Sequence, residues 1–391
     1  MRKILTLAVF IVLSSLIFLS CVNEPEVITK KKRTVLVYMI ASNSLGINNY
    51  DSKDIKEMET GMTAYAKNDC RLMVYYVPYN ADPYLFEIAK SKKQVSRKIK
   101  KIYSRDTKST TAERMSEVIS DVTKLAPSDD YGLVLWSHSD GWARSLSQGR
   151  SRNHMIESAT TSGTYFLTRD FGEDYGSTMP IDELANVIPS GMFSFIYSDA
   201  CYMGSIEIAY QLRKKTKYYV GSCALLPADG MPYDKNIPHF FEDEPQLINA
   251  CIETFNYYNE QPGAMRTNTI SLVDCSELNK LADICRRIHQ NEQPLDISSI
   301  QRYTYDIPQN IYFDFGQYNA QISPPELIQE FKDILENDII LYKAATPYIF
   351  GSLAIDPQKF SGVSTYILGT GNSLNENYYK TLDWYNDIYN K

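Results

Sequence analysis

Two residues in this sequence have side chains suited to acyl transfer, and each stands just past an apolar run. His138 follows the run in YGLVLWSHSDGW, Tyr131 to Trp142. Cys201 follows the run in FSFIYSDACYMGSIEIAYQLR, Phe193 to Arg213, with Asp199 two places before it. In open parallel sheets, ligands bind beyond the carboxyl ends of the strands, so polar residues directly after apolar runs are where chemistry is expected. A cysteine at the start of a helix sees the positive end of the dipole, which favours the nucleophilic thiolate. An imidazole within reach can take the thiol proton and later return it to a leaving amine. Singly, each residue has a plain structural reading, because free cysteine is commonly buried and a lone histidine after a strand is often hydrogen-bonded structure. The pair at successive strand ends of one sheet is what points to chemistry.

Positioning such a pair requires a sheet, and the sequence supplies one. Thr34 to Ala41 (TVLVYMIA) is a continuous apolar run of the kind a doubly covered strand needs, and similar runs recur at Arg71 to Val77, Gly132 to Ser137, Phe193 to Ser198, Tyr218 to Cys223 and Thr269 to Val273. Helical patterns fall between them at Asp51 to Ala66, Thr111 to Leu125, Ile181 to Val187 and Ser205 to Lys214. This alternation predicts an α/β fold with a mainly parallel sheet and helices on both faces. Arg71 to Tyr79 followed by Tyr84 to Lys90 predicts a hairpin, with Pro78, Asn80, Asp82 and Pro83 supplying the turn. Ala143 to Pro180 has no sustained periodicity, and so long a break inside an α/β core is usually functional or mobile. From Ser276 the pattern turns mostly helical, with Glu277 to Asn291 and Pro325 to Ala345 expected as long helices and Gly362 to Leu368 as a strand. The expected organisation is a leader at 1–20, a linker at 21–33, a catalytic domain at 34–275 and a C-terminal subdomain at 276–391.

The leader has its own logic. Arg2 and Lys3 precede an apolar run from Ile4 to Ser20, and Leu19, Ser20 and Cys21 fit a lipobox, although Phe18 stands where leucine is commonest. We therefore expect export, with lipidation at Cys21 and attachment to a cell membrane or outer membrane. An uncleaved anchor is disfavoured because Lys30, Lys31, Lys32 and Arg33 just beyond the run would leave the excess positive charge outside.

The net charge of −7 and the lack of a basic face argue against nucleic acid as a partner. No GxGxxG or P-loop follows the first strand, which argues against nucleotide binding. The cysteines beyond Cys21 are irregularly spaced, no CxxC occurs, and His138, His154, His239 and His289 show no metal-ligand spacing, so neither a disulfide framework nor a structural zinc site is expected.

The strings LVLWSHSDGW and SDACYMGSIEIAYQLR resemble the His and Cys motifs of the clostripain family of cysteine peptidases. TVLVYMIASNSL, VGSCALLPADGMPYD and SGVSTYIL extend the likeness over most of the chain. The resemblance implies a caspase-like three-layer α/β/α sandwich, with His138 as general base and acid and Cys201 as nucleophile. It places the oxyanion between the backbone N–H groups of Ser139 and Cys201. The family usually has glycine after the histidine, so Ser139 must supply the backbone geometry that glycine would. The resemblance also implies cleavage of peptide or protein substrates after Arg or Lys, read by Asp199 and Asp229. Asp199 alternatively caps the following helix, and Asp229 in Ala-Asp-Gly alternatively serves a turn. Self-processing is expected after Arg150 or Arg152 in GRSRN, against the plainer reading of a solvated basic loop. Some family members depend on calcium; no EF-hand loop occurs, so no calcium site is assigned and no other cofactor is expected. A catalytically decayed surface lipoprotein, acting as a binding module on the same scaffold, is the alternative, with Ser139 as its motive.

Overall fold

The computed structural model describes residues 29–91, 94–143, 170–242, 245–304 and 311–390. The expected leader, Cys21, Arg150 and Arg152 lie outside the described residues. Among the described residues no helix is long and apolar enough to cross a membrane. Lys31–Lys391 clusters as one compact unit.

The strands are β1 (Lys31–Ile40), β2 (Cys70–Val77), β3 (Tyr84–Ser91), β4 (Gln94–Ile102), β5 (Ser128–Trp136), β6 (Phe171–Asp174), β7 (Ser177–Met179), β8 (Phe193–Asp199), β9 (Thr216–Gly221), β10 (Thr269–Asp274), β11 (Phe313–Asp314) and β12 (Ile340–Ala345). Nine of them form one sheet in the order β12-β10-β9-β8-β5-β1-β2-β3-β4. The five middle strands, β9 to β2 in that order, pair in parallel. Two strands at each edge pair antiparallel.

β1 shows why the sheet is covered on both faces. Successive side chains of a strand point to opposite sides, so a strand buried twice must be apolar throughout. Leu36, Tyr38 and Ile40 enter one core, while Val35, Val37 and Met39 enter the other. The first core is closed by the helices Ala112–Leu125, Ile181–Val187, Ile206–Leu212 and Leu278–His289. The second is closed by Tyr50–Ala64, Tyr233–Phe240 and Leu247–Asn259. The result is the expected α/β/α sandwich.

Three details depart from the sequence pattern. The helix expected to run to Ala345 is α-helical only over Pro325–Asp333, then passes through a π-helical turn, Ile334–Ile339, into β12, which pairs antiparallel with β10. Tyr342 and Ala344 pack toward one core and Ile340 and Ala345 toward the other, because the register shifts at Leu341, and an alternation so short and interrupted does not stand out from a helix. Because β12 belongs to the central sheet, the fold runs continuously across the expected boundary at 275/276. β4 was not expected because its sequence, QVSRKIKKI, reads as a polar segment. Its charges are paired along the edge, Arg97 with Glu59, Lys100 with Glu87 and Lys101 with Asp121, and charged edges block further strand addition. The strand expected at 362–368 shrinks to Ser364–Thr365, paired with β11.

Close packing across the sheet yields a stability prediction. A Cβ added at Gly132 in β5 would lie 2.3 Å from the ring of Phe195 in β8. Gly132→Ala should lower the unfolding free energy by about 1–3 kcal/mol through overpacking, read as a lower denaturant midpoint at unchanged m-value. Phe195→Leu in the same chain should recover part of the loss.

Candidate active site

The sheet register brings the two candidate residues to the same height. Met39 of β1 pairs with Trp136 of β5, and Trp136 pairs with Asp199 of β8. His138 lies two residues beyond Trp136, and Cys201 two beyond Asp199. Both therefore leave adjacent parallel strands at the carboxyl edge, and the loop after β1 joins them there.

That loop is held by Asn43, whose side chain accepts from Leu45 N–H at 2.9 Å and donates to Ile40 O at 3.0 Å and Glu173 O at 2.9 Å. It presents Ser44, whose Oγ lies 2.7 Å from Nε2 of His138. Nδ1 of His138 has no hydrogen-bond partner among the described residues. For Nδ1 to accept a proton, the neutral ring must carry its hydrogen on Nε2 and donate it to Ser44 Oγ. Ser44 thus orients the ring, and its hydroxyl, able to donate or accept, is compatible with that tautomer. It was missed in the sequence because a serine in a turn carries no signal of what it touches. The strand after the irregular segment backs the same loop: Gly172 N–H donates to His138 O at 3.0 Å, and Glu173 N–H to Ser137 Oγ at 3.2 Å.

Cys201 is not in the first turn of a helix. The helix Ile206–Leu212 is capped by Ser205, whose Oγ accepts from Ile208 N–H, and Cys201 sits in the preceding turn. Asp199, offered above as an alternative cap, does not cap it. Dipole activation of the thiol, expected from the sequence, is therefore not what the structure provides. Burial pushes the Cys201 thiol up to about 12, with Asp140 and Asp199 adding to the shift against a hydrogen bond from Leu226 N–H at 3.3 Å. Burial likewise pulls His138 down to about 4. Both side chains are half-buried by surface exposure, yet their neighbours exclude enough water to disfavour either charge. No hydrogen bond joins them among the described residues, and both shifts favour the uncharged forms, a thiol and a neutral imidazole. Tyr202, directly after the cysteine, is left-handed at φ 57°, a conformation rare for a bulky residue and costing about 1–3 kcal/mol.

Ser139 adopts no left-handed conformation. Its Oγ lies 2.9 Å from Asp170 O and accepts from Gly141 N–H at 2.9 Å, and its own N–H has no partner among the described residues. The glycine that the turn requires is Gly141, at φ 76°, where a Cβ would lie 2.3 Å from the Tyr312 hydroxyl. Serine at 139 therefore leaves a backbone donor available.

Asp199 and Asp229 are not brought together in one pocket. Asp199 is buried, with Oδ2 accepting from Met231 N–H at 3.1 Å and Tyr233 O–H at 3.0 Å. It lines a cavity of about 20 Å³ with Leu226, Gly230 and Met231, enough for about one water. Asp229 does not line that cavity; its carboxylate is held by Lys53 at 2.5 Å nearer the surface. The carboxylate that does stand by Asp199 belongs to Asp54, on the helix Tyr50–Ala64. An acidic residue in a helix that also carries Lys53, Lys56 and Glu57 reads as surface, so no local pattern singles it out. Among the described residues no group of three or more His, Cys, Asp or Glu gathers as for a metal ion.

A family model described as the clostripain family matches residues 37–391. The chain is similar to an inactive zymogen of a C11 protease from Parabacteroides distasonis, with 28% identity over 92% of this chain and 99% of that one and a TM-score of 0.76. It is similar to a secreted C11 cysteine protease from Bacteroides thetaiotaomicron in complex with an irreversible peptide inhibitor, with 28% identity over 92% of this chain and 100% of that one and a TM-score of 0.77. A clostripain from Bacteroides thetaiotaomicron ATCC 29148, in complex with the peptide inhibitor BTN-VLTK-AOMK, shares 29% identity over 57% of this chain and 99% of that one, with a TM-score of 0.50. No curated protein matches significantly.

Two measurements test this geometry. A neutral resting pair predicts slow alkylation of Cys201 by iodoacetamide at neutral pH, accelerating through pH 9 and above; a preformed ion pair would give a rate nearly flat from about pH 6 to 9. Cys201→Ser provides the blank. Ser44→Ala should lower kcat toward amide substrates about tenfold with little change in KM, because the imidazole loses its orienting partner. Ser44→Thr should restore most of the loss.

Proposed function

This chain belongs to the clostripain family and is a cysteine peptidase, and from that premise we propose that it is an endopeptidase cleaving after Arg or Lys, with Cys201 as nucleophile and His138 as general base and acid. The observation that carries the assignment is the register of β5 and β8, which sets His138 and Cys201 equally far beyond the paired Trp136 and Asp199. In the proposed reaction the thiol proton passes to Nδ1 of His138 as sulfur attacks the scissile carbonyl. The N–H groups of Ser139 and Cys201 receive the developing oxyanion. Collapse breaks the C–N bond, the imidazolium protonates the departing amine, and a thioester remains. Water, deprotonated by His138, then releases the acid and the free thiol.

The thiol shift decides when this can happen. A nucleophile held near pKa 12 beside a base near 4 resists proton transfer, so water-excluding contacts around Cys201 must rearrange, or substrate must supply compensating polarity, before attack. The roughly 20 Å³ space beside Asp199 is also too small for a lysine or arginine side chain. Both features suit a chain that is made inactive and activated by cleavage, which we assign to Arg150 or Arg152, and one similar structure is that of an inactive zymogen. Specificity for a basic residue is supported by buried Asp199, whose desolvated carboxylate would bind a cation through charge-assisted hydrogen bonds. The inhibitor in the related clostripain carries the sequence VLTK. We assign Asp229, paired with Lys53, to the pocket rim, where release from that lysine would let it approach a substrate cation. Export and lipid attachment at Cys21 follow the leader pattern, and a secreted relative supports export.

The test uses the purified full chain, before and after limited tryptic nicking, on fluorogenic peptide amides ending in Arg, Lys, Leu or Asp. Arg and Lys amides should be hydrolysed after nicking, and Cys201→Ala should abolish turnover. Asp199→Asn should cut kcat/KM on basic substrates by about a hundredfold or more while sparing reaction with an uncharged thiol reagent. Turnover that survives Cys201→Ala, or a nicked wild type inert toward every basic amide, overturns the proposal.

A further inference from the structure

Asp54 and Asp199 come from different elements and meet at one small notch. Asp54 projects from the helix Tyr50–Ala64 and is fully buried; Asp199 ends β8. Oδ2 of Asp54 and Oδ2 of Asp199 lie 2.8 and 2.9 Å from the point that a Cβ on Gly230 would occupy. Gly230 is left-handed at φ 67°, and its carbonyl accepts from the Tyr258 hydroxyl, which pins the loop against the pair. Any larger residue there would drive its side chain between the two carboxylates.

The partners of this pair are all neutral. Asp54 Oδ2 accepts from the Trp136 indole N–H at 2.7 Å, and Asp54 Oδ1 is buried without a hydrogen-bond partner among the described residues. Asp199 takes its hydrogen bonds from Met231 N–H and the Tyr233 hydroxyl. Among the described residues neither carboxylate makes an ion pair, and Lys53, the cation nearest in sequence, is engaged by Asp229. A structural tie between helix and β5 would need only the Trp136 contact. It would not need a second carboxylate alongside, nor an oxygen left bare inside the protein.

Building on the basic-specific peptidase reading above, we propose that Asp54 is a second specificity-determining carboxylate of the substrate pocket. With Asp199 it forms a two-carboxylate clamp that prefers the guanidinium of arginine to the ammonium of lysine. A guanidinium carries five donors in a rigid planar fork and can address two carboxylates at once, whereas an ammonium is a compact point charge that one carboxylate satisfies. The orphaned Oδ1 of Asp54 then gains its missing donor only in the arginine complex. The notch is closed at rest, so the loop carrying Leu226, Gly230 and Met231 has to yield as the side chain enters.

The clamp has a protonic consequence. Burial, then repulsion from Asp199, raises Asp54 to about 9, with Glu57 adding to the shift and Trp136 and Lys53 opposing it; burial raises Asp199 to about 6. Tyr233 and Tyr258 also face the pair, and their own ionisation is pushed well above the ordinary tyrosine range. Both shifts favour a proton shared by the empty pair, with Asp54 the more strongly raised of the two. A guanidinium entering between the two carboxylates displaces that proton to solvent, and the bound state is a cation flanked by two anions.

The test exploits that resting state. Asp54→Asn replaces a neutral acid by a neutral amide and keeps an oxygen for the Trp136 N–H, so the fold should persist, checked by a thermal melt. On matched Arg and Lys amides, nicked Asp54→Asn should show an Arg-to-Lys ratio of kcat/KM lowered about tenfold or more, chiefly through KM on arginine. An unchanged ratio overturns the clamp while leaving the peptidase intact; a wild type that cleaves neither substrate overturns the peptidase reading itself. A second measurement does not depend on the variant folding. Calorimetric titration of nicked Cys201→Ala with a peptide ending in arginine amide, in buffers of differing ionisation enthalpy near pH 7.5, should reveal release of close to one proton. No release, or equal release with the lysine peptide, counts against the proposal.

Discussion

Everything at the site depends on the parallel pairing of three central strands in one register. With Met39, Trp136 and Asp199 side by side, the loops that follow β1, β5 and β8 must emerge together. Ser44, His138 and Cys201 are then neighbours by topology, without any one loop needing to be long. The register is itself enforced by the double burial of the strands. Slipping β1 by one residue would exchange Leu36, Tyr38 and Ile40 with Val35, Val37 and Met39, and every side chain would meet the wrong core. Packing specificity deep in the sheet is in this way converted into positional accuracy at its edge.

The same burial explains the electrostatics. A site enclosed by the Leu226 loop and the strand after the irregular segment has little water, so each ionisable group there drifts toward its neutral form. The direction is common to Cys201, His138, Asp54 and Asp199, and desolvation is the largest cause in each. A dry site is poor at generating charge but strong at binding it, since an interaction between ions gains as the dielectric falls. Under the proposed activation by cleavage, a path for the substrate has to open without flooding the pocket. The hydrogen bonds from Gly172 and Glu173 to the histidine loop would keep such an opening local, because they tie the residues after the irregular segment to Ser137 and His138.

The alternating apolar runs made the layered fold legible, and the polar residues immediately past two of them made His138 and Cys201 legible. Ser44 and Asp54 stayed hidden for one cause: each depends on contacts between residues distant in sequence. Ser44 reaches His138 across 94 positions, and Trp136 reaches Asp54 across 82. No local pattern distinguishes such residues from ordinary turn or helix-surface positions. β12 was hidden for another reason. Its six residues follow directly on a helix, and only pairing with β10 selects the extended form over continued helix. Asp229 was misjudged in its surroundings, because a lysine on a different element claims its carboxylate.

Whether the scaffold retains chemistry or merely binds turns on Ser139, and the backbone argues for retention. The substitution matters only if position 139 must be left-handed, and that demand falls on Gly141 instead. Elsewhere the site keeps features that cost stability. Tyr202 holds a left-handed conformation next to Cys201, and Asp54 holds an oxygen with no hydrogen-bond partner among the described residues, each worth about 1–3 kcal/mol against the fold. Selection for a binding surface alone would place no requirement on a strained residue next to a half-buried thiol, and drift would relax it. Comparable costs occur elsewhere in the chain, at Phe350 and Glu207 for example, so what sets the pair at Tyr202 and Asp54 apart is their place next to Cys201 and Asp199, where the proposed chemistry would use them.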